Sequence, residues 1–189
     1  MCAALTAFAD TGEEIAAREC RECHGPLGRS EQRDIPSIGG FSEFAIMDLL
    51  ESYLFGFRQA RPVTLEDGSE KDMLEVVESL SEEAIETVAV YYAAQQWRPH
   101  EQAFDAEQAR RGARIHARKC AKCHLKEGSV PEADHALLSG QWRDYLAGEF
   151  RDFDSGARRM ADKMKEKYDT LSPADKAALL ELYVSAGKY

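Results

Sequence analysis

The pentapeptide Cys20-Arg21-Glu22-Cys23-His24 returns 100 residues later as Cys120-Ala121-Lys122-Cys123-His124. The same shift superposes Gly12, Ile15, Ala17, Arg18, Gly28 and Gly40 on Gly112, Ile115, Ala117, Arg118, Gly128 and Gly140. Beyond that point the second copy is shorter by nine residues, and Met73, Leu80, Ser81 and Tyr92 then match Met164, Leu171, Ser172 and Tyr183. An internal duplication of this extent makes the chain two copies of one structural unit. Each copy must present two thiols about one helical turn apart, followed at once by an imidazole. That spelling marks covalent attachment of a c-type haem.

The 189 residues divide at the junction Gln95-Gln96-Trp97-Arg98-Pro99-His100-Glu101, which closes one copy with proline and polar residues before Phe104 opens the next. The expected domains are residues 1–98 and 99–189. Both read as all-α. Thr11-Gly12-Glu13-Glu14 has the form of a capping box, and Asp105 with Gln108 caps the corresponding helix before Cys120. The two caps are out of register under the 100-residue shift, so the first helix starts either at Thr11 or earlier, near Thr6. Apolar spacing predicts helices over Phe44 to Phe57 and Tyr145 to Phe153. The closing helices start at Ser81 and at Ser172-Pro173, a cap followed by proline at the first helical position. In the first of these, Ile85, Val88, Ala89 and Tyr92 form a single buried stripe. Strands are expected to be incidental.

The site chemistry follows from residue type and spacing. Cys20 and Cys23, and likewise Cys120 and Cys123, each reach a haem vinyl group as thioethers. His24 and His124 supply the proximal imidazoles to iron. A methionine thioether as sixth ligand stabilises ferrous iron and suits an electron carrier. Met73 is the candidate in the first copy, seven residues before Leu80. In the second, Met160 and Met164 compete, and only Met164 lies seven residues before Leu171. Met47 sits inside an apolar helix and reads as packing. A zinc site would have to join both Cys pairs across 96 residues and would leave both histidines unexplained. A thioredoxin-like dithiol would need a βαβ setting that the chain lacks.

Further residues have supporting roles. The Pro36 carbonyl is placed to accept the His24 Nδ1–H and orient the ring; the second copy has Ala136 there and must hold its ring differently. His100, His116 and His135 have no counterparts in the first copy and read as surface residues or neighbours of the haem propionates. Gly112, and Gly12 if its helix starts early, imply close approach of another helix, with Tyr92 and Tyr183 as the expected partners.

Composition narrows the partners. Asp and Glu number 34 against 24 Lys and Arg, a formal charge of −10. That balance argues against nucleic acid and anionic membrane; it suits a basic patch on a redox protein, or solubility alone. Cys2 is the cysteine outside the two motifs and carries no lipidation signature. No apolar run approaches the ~20 residues that span a bilayer. No signal peptide is visible, yet attachment of this kind follows export, so a periplasmic protein with its leader absent from this chain is expected.

The attachment motifs, the helix order and a methionine before each closing helix resemble class I cytochromes c in tandem, each domain wrapped around one covalent haem. The chain is similar, more closely, to the dihaem cytochrome subunit of flavocytochrome c sulfide dehydrogenase, from about Gly12 to Tyr189. The likeness is densest in Leu138-Ser139-Gly140-Gln141-Trp142, Tyr145, Phe150-Arg151, Arg158-Arg159-Met160 and Lys163-Met164. It implies two haem c groups on this chain, FAD on a separate sulfide-oxidising flavoprotein, and transfer of electrons from that flavin to a small redox acceptor protein. The chain has no nucleotide-binding glycine motif and no spare dithiol, so no catalytic site of its own is expected. The alternative is a free soluble dihaem shuttle to a terminal oxidase. By the same resemblance, the first domain faces the flavin. Its longer loop, Arg58 to Asp72, offers contact surface there.

Overall fold

The structure, a computed structural model, describes residues 10–189, so Cys2 and Thr6 lie outside it. Ten α-helices and a short 3₁₀ helix, Pro26–Gly28, occur among the described residues. The first copy contains α1 (Gly12–Glu19), α2 (Arg21–His24), α3 (Glu43–Leu54), α4 (Met73–Glu78) and α5 (Glu82–Ala93). The second contains α6 (Ala106–Lys119), α7 (Leu125–Gly128), α8 (Arg143–Ser155), α9 (Asp162–Tyr168) and α10 (Pro173–Val184). A short hairpin, β1 (Val63–Thr64) with β2 (Glu70–Lys71), is the antiparallel addition in the long loop of the first copy.

Local chemistry sets the boundaries. Thr11 caps α1 in a full capping box with Glu14, and Asp10 and Thr11 are not helical. The start at Thr11 therefore holds, and Gly12 is the first helical residue rather than an interior one. Asp105 accepts from the backbone N–H groups of Glu107 and Gln108 to start α6. Ser81 and Ser172 cap the closing helices, with Pro173 at the first position of α10, as the sequence predicts.

In each copy the first helix crosses the last, α1 on α5 and α6 on α10. Glycine permits the approach. A Cβ on Gly12 would sit 2.6 Å from the Thr87 carbonyl oxygen and 2.6 Å from Tyr91 Cβ. One on Gly112 would strike the Ala178 carbonyl and lie 2.9 Å from Leu182 Cβ. The partners are thus Thr87/Tyr91 and Ala178/Leu182, not the expected Tyr92 and Tyr183. Those tyrosines lie on the adjoining face of the closing helix. Tyr92 abuts Gly28 and Cys20 instead, and Tyr183 reaches Cys120.

Two apolar cores result. The first gathers Ile15, Phe41, Ile46, Val88 and Tyr92; the second gathers Ile115, Leu146, Leu179, Leu182 and Tyr183. Each such side chain, fully buried, stabilises the fold by about 1.5–3 kcal/mol. Leu137 of the second copy is buried in the first copy's core, so apolar packing continues across the junction.

The halves meet in reciprocal fashion. Gln59 N–H donates to the Ala157 carbonyl at 2.8 Å, and Arg159 N–H donates to the Phe57 carbonyl at 2.6 Å. Under the 100-residue shift these are the same contact made in both directions, around an antiparallel bridge between Arg58 and Arg158. Such self-complementary pairing is the signature of a local twofold relation.

Gly112→Ala is expected to lower the stability of the protein by about 1–3 kcal/mol in denaturant unfolding, because overpacking against α10 outweighs the gain in helix propensity. Unchanged or raised stability would show that α6 and α10 can separate without cost.

Candidate haem-attachment sites

In the first copy, α1 ends at Cys20 and the chain passes directly into α2, which carries Cys23 and ends at His24. Gly25, at φ 74°, then turns the backbone away, and an added Cβ there would meet the Arg29 backbone. The two helices meet in a break at Cys20 (φ −121°), and both thiols and the imidazole line the same cavity. Cys20, Cys23, His24 and Met73 all line a single solvent-open cavity. Its walls are largely apolar, with Ile35, Phe41, Ile46, Leu50 and Val88 among them.

Burial controls the protonation of these groups. It pushes the Cys20 thiol up to about 11 and raises Cys23 as well. Burial also lowers the His24 imidazole, favouring the neutral form that binds iron. The Pro36 carbonyl lies 2.9 Å from His24 Nδ1, as the sequence predicts, leaving Nε2 for a metal. Ser30 anchors the same turn through a hydrogen bond from its hydroxyl to the Cys23 carbonyl, 3.1 Å.

The second set is built differently: α6 ends at Cys120, and the chain from Cys120 to His124 runs through turns where the first copy has α2. Cys120 is half-buried and its thiol is raised by burial, while Cys123 is exposed. His124 is pushed down to about 4, chiefly by burial and then by the nearby His135 and His116. Its Nδ1 is buried without a hydrogen-bond partner. Lys126 and Glu127, both at positive φ, take the turn that Gly25 opens in the first copy. His116 reaches across from α6: its Nε2 lies 2.8 Å from the His124 carbonyl and its Nδ1 lies 3.1 Å from Tyr183 Oη. Met164 is half-buried within α9, and Met160 is half-buried just ahead of that helix.

Two of the three unmatched histidines are not surface residues. His116 is 2% exposed and His100 is 4% exposed; only His135 lies at the surface, its ring 5.3 Å from that of His124. The composition of the surrounding sequence hid this, because both buried rings sit among charged neighbours.

A charged cluster with no signal in the sequence closes the first cavity from the other half. Glu149 and Asp152, on α8, line that cavity along with Tyr145. Glu149 pairs with both Arg58 and Arg158, and Asp152 pairs with Arg61. Glu149 and Asp152 are each 8% exposed, so pairing is what makes their burial tolerable. The equivalent positions in the first copy are Leu49 and Ser52, so the repeat gave no sign of the cluster.

The donor set fits a covalent haem. Two thiols and a neutral imidazole stand at the mouth of an apolar cavity, and a thioether lines the same space. Among the described residues no three His, Cys, Asp or Glu side chains converge as a metal-ion site. None of the helices among those residues is long and apolar enough to cross a membrane.

Comparison with known proteins agrees with this construction. No protein-family model matches the chain. It is 27% identical over 172 residues to cytochrome c4 of Azotobacter vinelandii, covering 82% of this chain and 79% of that one. The structure superposes on reduced cytochrome c4 from Pseudomonas stutzeri with a TM-score of 0.72 at 23% identity, over 93% of this chain and 98% of that chain. Cytochrome c4 from Acidithiobacillus ferrooxidans gives 0.68 at 20% identity, over 88% and 98%. The thiosulfate dehydrogenase TsdBA of Marichromatium purpuratum gives 0.70 at 21% identity, over 88% of this chain and 36% of that one. The fold is that of two class I cytochrome c domains in tandem.

Proposed function

We propose that this protein is a periplasmic dihaem c-type cytochrome that transfers electrons, with domains divided between residues 98 and 99. The observation that carries this reading is the gathering of Cys20, Cys23, His24 and Met73 around one apolar cavity in a unit that the sequence repeats. Cys20 and Cys23 hold the first haem as thioethers; Cys120 and Cys123 hold the second. His24 with Met73, and His124 with Met164, ligate the two irons. Each haem, when bound, supplies a one-electron Fe(III)/Fe(II) couple.

The chain's own residues set the terms of that exchange. The Pro36 carbonyl orients His24, and largely apolar walls line the space that the first haem would fill. Methionine thioethers favour the ferrous state. Both irons are thereby fully ligated, which suits electron transfer rather than chemistry on a bound substrate.

Likeness to cytochrome c4 across most of both chains supports a free shuttle between a donor and a terminal oxidase. The second reading is an electron-accepting subunit bound to an FAD-containing sulfide dehydrogenase, which the 138–142 and 158–164 stretches favour. Charge bears on the docking face in either case. Residues 1–98 carry 19 Asp and Glu against 8 Lys and Arg, whereas residues 99–189 carry 15 against 16. A basic donor therefore meets the first half, and electrons pass from there to the second. The loop from Arg58 to Asp72 is only partly free for such contact. Lys71 pairs with Glu19 at 2.9 Å, Glu66 N–H donates to Glu22 at 2.9 Å, and Arg61 is held by Asp152.

Met164→Ala is expected to remove the near-infrared sulfur-to-iron band of one haem, while Met160→Ala leaves both bands in place. The opposite pattern would assign the ligand to Met160. Native purification distinguishes the two readings of partnership. A single soluble species without flavin absorbance is expected of the shuttle, and stoichiometric FAD that copurifies with the chain would establish the subunit.

A further inference from the structure

The carbonyl that holds His24 belongs to the Pro36–Ser37 peptide group, and the N–H of that same group points across the junction. Ser37 N–H donates to Gln141 Oε1 at 3.0 Å, and Gln141 Nε2 donates back to the Ser37 carbonyl at 2.6 Å. Gln141 comes from the second copy and is 0% exposed. Both ends of its amide are therefore used on one residue of the other half. Ser37 itself is 2% exposed and is fixed further by its side chain. Its Oγ accepts from Ser30 N–H at 3.0 Å and lies 2.8 Å from His100 Nε2, and His100 is stacked on Trp142.

The second copy has no equivalent. Phe41 stands where Gln141 would be in the repeat, and His124 Nδ1 has no hydrogen-bond partner. The connection runs in one direction, from the second half to the ligand of the first.

We propose that Gln141 is a positioning residue for the axial histidine of the first haem, acting across the domain junction through the Pro36–Ser37 peptide. Two effects combine. The amide clamp fixes the peptide plane, and so the direction of the carbonyl that meets the His24 Nδ1–H. Donation by Ser37 N–H also polarises the peptide, which strengthens its carbonyl as an acceptor. A stronger acceptor makes the imidazole more basic. A more basic ligand stabilises ferric iron, so the clamp lowers the potential of the first haem and leaves the second untouched. Separation or repacking of the two halves would then be felt at one iron only.

The inference rests on His24 being an iron ligand, so the mature protein is first shown by mass to carry haem on both Cys pairs; absence of the first haem would defeat the proposed function and be seen before any titration. Gln141→Leu removes both amide bonds and keeps an apolar side chain of similar bulk. Gln141→Asn retracts the amide by one methylene and serves if the leucine variant does not fold. Trp142→Phe is the control: it removes the bond from Trp142 Nε1 to the Ser30 carbonyl, 2.9 Å, within the same junction, while both Gln141 amide bonds stay and phenylalanine keeps an aromatic face for His100. Spectroelectrochemical titration reads the two haems, and paramagnetic NMR reads exchange of the axial-ring Nδ1–H protons. Loss of the clamp is expected to favour the ferrous first haem by about two- to tenfold at a fixed poise, the range that one hydrogen bond supplies. The His24 ring proton should exchange faster, with the second haem unchanged. The proposal is overturned if the Gln141 variants leave the first haem at its parent values, if both haems shift alike, or if Trp142→Phe reproduces the shift.

Discussion

The contact between the backbone of each closing helix and a glycine in each opening helix is what the rest of this molecule depends on. With Gly12 set against Thr87 and Gly112 set against Ala178, the crossing fixes where the closing helix ends. The last carbonyls of that helix then suspend the loop that follows the attachment motif. Gly40 N–H donates to the Tyr92 carbonyl at 2.8 Å and Gly140 N–H to the Tyr183 carbonyl at 2.7 Å. From Gly40 the loop leads back to Pro36 and its hydrogen bond to His24. Fold and ligand geometry are thus linked by a short run of backbone bonds. A bulkier residue at either crossing glycine would displace the loop and the motif along with the helices.

The duplication supplies two units; the junction makes them unequal. Reciprocal backbone bonds at Phe57, Gln59, Ala157 and Arg159 are inherited from the repeat, since each copy offers the same edge. Side chains then depart from it. Glu149, Asp152 and Gln141 of the second copy all reach toward the first site, while Leu49, Ser52 and Phe41 do not reciprocate. His24 sits in a web of satisfied hydrogen bonds. His124 rests on His116, with its own Nδ1 lacking a hydrogen-bond partner. In an electron carrier such inequality gives direction, because the two sites need not hold an electron equally well.

Much of this was legible in the sequence because it rests on local rules. Caps at Thr11, Ser81, Asp105 and Ser172, the proline start of α10 and the periodic stripe of α5 each depend on neighbours within a turn or two. The repeat told which positions mattered, and the Pro36 carbonyl followed from its distance to the motif. What stayed hidden depends on contacts between residues about 100 apart that break the repeat. His100 and His116 look like solvent residues beside their charged neighbours, yet one stacks on Trp142 and the other bridges Tyr183 and the His124 carbonyl. Glu149 carries no periodic signal of burial; only Arg58 and Arg158, brought in from two loops, make its position tenable. The partners of the crossing glycines were misassigned because Tyr92 and Tyr183 lie one residue along from the contact face, a rotation that spacing alone does not resolve.

The central claim is that one chain holds two covalent haems, each on its own thiol pair. Mass spectrometry of the denatured mature protein, followed by proteolysis, tests it directly. Two haem increments are expected, one on the peptide with Cys20 and Cys23 and one on the peptide with Cys120 and Cys123. A bare polypeptide mass, a single increment, or a disulfide joining either pair would contradict it.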